Sequence, residues 1–129
     1  MKLTDSLKTS GIDEIKAALA GGKLIVYSVA QPSSPDKPVQ RSGVLATFTF
    51  AAPAFSAETP ALPVFASNPV AATGLGVPGF ARAYKADGST VVADFSAGPG
   101  ATDIKFSEVS TTPNYPIKVT TFTLDAPAQ

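Results

Sequence analysis

Several groups of residues in this 129-residue chain have the types and spacing to do chemistry. Gly74-Leu75-Gly76-Val77-Pro78-Gly79 spells a dinucleotide-binding fingerprint, in which glycines let backbone amides close on a pyrophosphate. That chemistry needs a strand before the glycines and a helix after them, so that a helix N-terminus faces the phosphates. Here Pro-rich chain precedes and a strand-like run from Phe80 follows, so the glycines are read as shaping a loop that enters a strand. Asp87-Gly88-Ser89 has the look of a calcium loop, but no further oxygen ligands follow at EF-hand spacing, and a hairpin turn accounts for it. Asp94 and Asp103 are the nearest pair of strand-adjacent acids for two-carboxylate glycoside chemistry, and nothing in their spacing brings them to one cleft. Arg82 lies mid-strand between apolar neighbours and Asp94 on the returning strand of the same hairpin, which allows a cross-strand ion pair. Tyr27, Tyr84 and Tyr115, with eight Phe, could stack on a ligand, although aromatic residues at alternate strand positions are more often core. Neither Asn68-Pro69 nor Asn114-Tyr115-Pro116 forms a glycosylation sequon. No residue is assigned a catalytic, cofactor-binding or metal-binding role, and the expectation is a protein that is not an enzyme.

Composition narrows the chemistry further. The absence of His and Cys removes the Ser-His-Asp and Cys-His arrangements, zinc sites, iron–sulfur sites and disulfides. Ten Lys+Arg balance ten Asp+Glu, and no two basic residues are adjacent, so the basic face that neutralises nucleic-acid phosphates is missing. A chain with no net charge repels copies of itself weakly. No apolar run approaches the ~20 residues of a membrane span. Met1 to Lys8 carries one early Lys and is then polar, unlike a secretory signal, so the expectation is a soluble protein used without translocation.

The elements that must position these residues are mostly strands. The length suits one domain, residues 1–129, with an N-terminal arm and helix over 1–22 and a β-domain over 23–125. Ile12, Ile15, Ala18 and Leu19 make one apolar helical stripe, preceded by Ser10 and Asp13-Glu14 and stopped by Gly21-Gly22. From Lys23 the period changes: Lys23 to Val29 reads as a central or buried strand. A polar Pro-rich loop follows over 31–38, then Gly43 opens a second strand. There Val44, Ala46, Phe48 and Phe50 share a face opposite Leu45, Thr47 and Thr49.

Residues 51–79 carry Pro53, Pro60, Pro63, Pro69 and Pro78, yet Phe55, Leu62, Val64, Phe65, Val70, Leu75 and Val77 make the segment too apolar for a solvated tether. It reads as irregular chain with short edge strands packed on the sheet. Asp87-Gly88 between Phe80–Ala86 and Thr90–Phe95 is the clearest hairpin. Ile104 to Phe106 and Ile117 to Leu124 close the set, turned by Pro113-Asn114-Tyr115-Pro116. A shift of the apolar face between Val119 and Phe122 implies a bulge or burial on both sides. The fold class expected is mainly β, a single β-sandwich or small barrel of about seven short strands with one N-terminal helix.

The order of short blocks resembles a family of small structural proteins of tailed bacteriophages. The blocks are Lys23-Leu24-Ile25-Val26-Tyr27, Gln31-Pro32, Val44-Leu45-Ala46-Thr47-Phe48-Thr49-Phe50 with Pro53-Ala54-Phe55, Thr73-Gly74, Ala81-Arg82-Ala83-Tyr84, Asp87-Gly88, Val92-Ala93-Asp94-Phe95-Ser96 and Val119-Thr120-Thr121-Phe122-Thr123-Leu124. They cover most of residues 12–124, and the Pro-rich middle departs from the family's pattern. The resemblance implies a virion component without catalysis or cofactor, assembled in the host cytoplasm, with the major capsid protein or other virion proteins as partners. A capsid decoration (cement) protein is favoured, in a homo-oligomer that such proteins often form as a trimer. The alternatives are a neck, tail or tail-tip protein, and a carbohydrate- or peptide-binding β-sandwich module for host attachment.

Overall fold

In a computed structural model of the protein, residues 2–3, 17–28, 44–55, 63–66, 70–87, 90–97, 104–107 and 110–122 are described. Among these residues ten strands form: β1 (Lys2–Leu3), β2 (Lys23–Tyr27), β3 (Val44–Phe55), β4 (Pro63–Phe65), β5 (Val70–Ala71), β6 (Phe80–Tyr84), β7 (Val91–Ser96), β8 (Ile104–Phe106), β9 (Pro116–Ile117) and β10 (Val119–Phe122). Six of them make an antiparallel sheet in the order β1-β7-β6-β2-β3-β4, and two further pairs are β10-β8 and β5-β9.

β2 is central because its β-branched run suits a strand paired on both sides. Leu24 lies opposite Phe48 on β3 and Ala83 on β6, and Val26 opposite Ala46 and Ala81. The β6–β7 register then places Ala93 and Phe95 beside those alanines. These residues share one face of the sheet, and all are fully buried. The second layer lies over that face. β8 and β10 contribute Ile104, Val119 and Phe122 to the same core. The layers meet through rings: Phe122 lies 4.8 Å from Phe95 and 6.2 Å from Phe50, and Phe106 lies 6.3 Å from Phe48. Small alanines on β6 and β7 leave room for those rings, the alternation of large and small that close packing requires. The arrangement is mainly β and sandwich-like, with sheets that do not close into a barrel, so the barrel half of the expectation falls away.

Residues 17–19 form a helical turn, and residues 4–16, which carry the rest of the expected stripe, lie outside the described residues. The stop works as read. Gly21 takes φ 69°, a left-handed cap that favours glycine, and the Gly22 N–H donates to the Leu19 carbonyl at 2.8 Å. The helix end is sewn to β3 by Gly21 N–H to Ala51 O and Phe50 N–H to Gly22 O.

Two expectations need correction. Among the described residues ten strands stand where about seven are expected, because β1, β5 and β9 are two-residue pieces too short to stand out as periodic runs. The single last strand over 117–124 is two strands with different partners: Ile117 pairs with Val70 on β5, and Val119 with Phe106 on β8. Ile117 and Val119 point inward around exposed Lys118, so the alternation runs through the switch unbroken and conceals it. The expected irregularity follows between Val119 and Thr121, where the register shifts by a bulge and carries Phe122 back into the core. Thr123 and Leu124, like the loop at 31–38, Val29 and Gly43, lie outside the described residues.

Phe50 touches both layers, with Phe65 at 5.0 Å and Phe122 at 6.2 Å, and is 1% exposed. Phe50→Ala is expected to remove ~3–5 kcal/mol of stability. Urea unfolding checks it: the midpoint falls while the slope stays that of the parent.

Candidate functional site

The opposite face of the six-stranded sheet carries the polar chemistry. Register places Lys23, Ile25 and Tyr27 of β2 opposite Tyr84, Arg82 and Phe80 of β6, and Arg82 opposite Asp94 of β7. The ion pair allowed by the hairpin forms. Arg82 Nε donates to Asp94 Oδ1 at 2.7 Å and its second terminal nitrogen to Oδ2 at 3.0 Å, a two-pronged pair. The side chains are 3% and 0% exposed.

The surroundings fit a charge taken out of water. The Arg82 guanidinium carbon lies 5.7 Å from the centre of the Phe80 ring, and Phe80 stacks on Tyr27 at 5.2 Å. The Tyr27 and Tyr84 hydroxyls meet at 2.8 Å, although the two residues sit at opposite ends of the β2–β6 ladder, so they span the Ile25–Arg82 rung between them. Burial by itself pulls the Arg82 pKa down. The Asp94 hydrogen bond and charge, helped by Tyr84 and Tyr27, outweigh it and raise the pKa. Arg82 therefore stays charged at any working pH. Among the described residues no buried side-chain nitrogen or oxygen lacks a partner.

This is an arrangement for holding strands in register rather than for moving protons. Asp94, one member of the considered carboxylate pair, has both oxygens occupied by Arg82 and no exposed surface; Asp103 lies outside the described residues. The tyrosines part company: Tyr27 and Tyr84 join the ion-pair cluster, while Tyr115 is 59% exposed on a distant turn. The Asp87 carboxylate accepts from the Thr90 backbone N–H at 2.8 Å and from the Thr90 hydroxyl, so it closes the hairpin turn, with Lys85 N–H donating to Thr90 O at 2.9 Å. Gly88, Ser89, Asn68 and Pro69 lie outside the described residues.

The glycine-rich loop is used up internally. The Gly74, Gly76 and Gly79 amides donate to Leu45 O, Thr111 O and Tyr27 O, which leaves none of them for a phosphate. β6 follows, as expected, where the fingerprint would need a helix. A side chain at Gly74 would collide with the Val44 carbonyl, so close approach of backbone to β3 explains that glycine.

What this loop builds is a surface. Ala72, Gly74, Gly76 and Pro78 face inward or are shaded, while Ala71, Thr73, Leu75 and Val77 alternate outward. The 110–116 turn is tied to it: Gly76 and Thr111 exchange backbone bonds at 3.2 and 2.7 Å, the Thr111 hydroxyl donates to Gly74 O at 2.8 Å, and Ala72 bonds Tyr115 O and Asn114 N–H. Asn114 takes φ 69° to make that turn. Leu75 is 76% exposed, Val77 59% and Tyr115 59%, three large apolar side chains outward on a braced frame. A cleft of ≈ 230 Å³ opens beside Tyr115, lined by Ser110, Thr111, Thr112, Pro116 and Ile117. Residues 70–79 and 110–117 contain no charged side chain.

The chain matches no family model, no curated protein and no solved structure. The site is therefore argued from its own geometry. The sequence expectation counted Leu75 and Val77 among the residues packed on the sheet; both instead face outward, because Ala72, Gly74, Gly76 and Pro78 take the inward positions. The readable signal was the alternation from Ala71 to Pro78 and the two charge-free runs.

The ion pair carries a testable consequence. Asp94→Ala, which strands Arg82, is expected to cost ~3–5 kcal/mol. The double variant Arg82→Met/Asp94→Leu recovers most of that loss, because an apolar pair of similar volume needs no desolvation. Denaturant unfolding of the two singles and the double completes the cycle; losses that simply add would show that the two residues do not act as a pair.

Proposed function

We propose that this protein is a non-enzymatic structural component of a bacteriophage virion, and that it decorates the capsid by clamping major capsid subunits from outside. One observation carries the reading. The braced, charge-free surface of Leu75, Val77 and Tyr115 offers apolar shape to a partner, while the one buried ion pair among the described residues is locked into the sheet. Exposed apolar side chains gathered on one frame mark interaction sites, and a frame tied by its own hydrogen bonds loses little freedom on docking. The block order over most of residues 12–124 supports the virion assignment, and zero net charge suits close packing of many copies. Each contact need only be modest, since repetition across a shell multiplies it.

The neck, tail and tail-tip positions differ from decoration in copy number. A second reading has its own observation: the cleft beside exposed Tyr115 is lined by the hydroxyl residues Ser110, Thr111 and Thr112, a combination of aromatic and hydroxyl groups that suits a sugar ring.

Mass spectrometry of purified particles from a phage encoding this chain is expected to find it at capsid-like abundance, and particles lacking it to lose their DNA at lower temperature. Absence from the particle overturns the virion reading, and a few copies per particle moves it to the neck or tail. Glycan-array binding by the full chain, lost in Tyr115→Ala, would bring the attachment reading to the front.

A further inference from the structure

The crest of the glycine loop is an isolated β-bridge, with one edge that no described residue fills. The segment 73–79 is anchored at both ends on one place: Thr73 N–H bonds Leu45 O and Gly79 N–H bonds Tyr27 O, and Tyr27 pairs with Val44, the neighbour of Leu45. An extended chain advances roughly 3.3 Å per residue, so six residues between adjoining anchors must arch outward. Leu75, Gly76 and Val77 form the crest. One edge of it is taken, since Gly76 exchanges both backbone bonds with Thr111. The other is not: among the described residues nothing bonds the N–H or C=O of Leu75 or Val77. Their side chains are the most exposed large aliphatic ones of the described residues.

Two donors and two acceptors in one short extended piece, alternating on one edge, are complementary to themselves. In an antiparallel pair, residues directly opposite exchange both backbone bonds at every second position. With Gly76 opposite Gly76 of a second copy, Leu75 faces Val77 and Val77 faces Leu75, and all four free groups of each copy are filled. Gly76 falls at the close, non-hydrogen-bonded position, where a residue without a side chain lets the strands approach. The side chains then alternate Leu against Val on the outer face, a favourable cross-strand pair. No charge stands on either loop to oppose the approach of an identical surface.

We propose that Leu75-Gly76-Val77 pairs antiparallel with the same segment of a second copy, making a two-fold dimer through strand addition. The pairing is reciprocal and closes at two copies, so the trimer implied by the family resemblance would have to use another surface. It needs only this chain, and stands or falls separately from any place in a virion.

The test uses the full-length protein, which has no native cysteine. Sedimentation velocity from low-micromolar to near-millimolar concentration is expected to show a monomer passing to a dimer. Leu75→Asp, which sets like charges near one another across the interface, is expected to weaken association roughly tenfold or more. The exposed Val64→Asp on β4 leaves it unchanged. Register is read by mixing Leu75→Cys and Val77→Cys proteins under mild oxidation: the mixed disulfide is expected to outrun either self-disulfide. Circular dichroism of each variant matching the parent excludes misfolding, since both positions are exposed. A monomer at every concentration, a trimer insensitive to Leu75→Asp, or equal yields of mixed and self-disulfides would overturn the proposal.

Discussion

The pairing of β2 along both of its edges is the constraint on which the rest depends. All five residues, Lys23 to Tyr27, are matched to β6 on one side and to β3 on the other. A buried backbone group without a partner costs roughly what a lost hydrogen bond does, so β2 cannot slide past one neighbour without disturbing the other. The side-chain period then fixes the register. A slip of one residue would turn Leu24 and Val26 out of the core and drive Lys23 and Ile25 in. Everything laid over the sheet takes its position from that choice: Phe48 and Phe50 under the β8–β10 pair, and Tyr27 beneath the return of the glycine loop.

The same register produces the ion pair. With Ile25 opposite Arg82, and Arg82 opposite Asp94, the guanidinium and carboxylate come together on the face away from the ring-filled core. Two charges removed from water are weak evidence of stability, because the cost of desolvating them offsets much of their attraction. Their value here is selective. Any other β6–β7 pairing would leave two buried charges apart, and such mispaired states are strongly disfavoured. The Phe80 ring beneath the guanidinium and the paired tyrosine hydroxyls reinforce the same arrangement.

How legible this was in the sequence differs by element. The hairpin, with Asp87 at its turn, is local information: the turn residue and both strands lie within twenty residues. The exact partner of Arg82 is not, because counting outward from Asp87-Gly88 sets Arg82 opposite Ala93, and the bulge between Ala83 and Tyr84 moves it onto Asp94. The central place of β2 showed in its unbroken apolar run, and the Gly21-Gly22 stop in two adjacent glycines. The β5–β9 pair did not show, because two-residue strands 46 positions apart (Val70 to Pro116) have no period of their own. The frame that presents Leu75 and Tyr115 depends on that long-range pair. Its glycines are explained by Val44 and Leu45, residues no local pattern connects to them.

That dependence also explains why an apolar crest sits where it does. A mobile loop carrying a bare leucine and valine would gain by folding them against its own sheet. This loop is prevented from doing so. Its inward positions are spent on Ala72, Gly74, Gly76 and Pro78, its inner edge is tied to Thr111, and its two ends are held on neighbouring residues. Leu75 and Val77 are then outward by alternation rather than by chance, at a loss of buried apolar area that the monomer alone does not recover. A sheet protein usually blunts such an edge with lysine, proline or a bulge. Here the crest has no charge, proline comes after the free pair at Pro78, and a glycine sits where two backbones would come closest. Those are features of an edge arranged to be met by another strand.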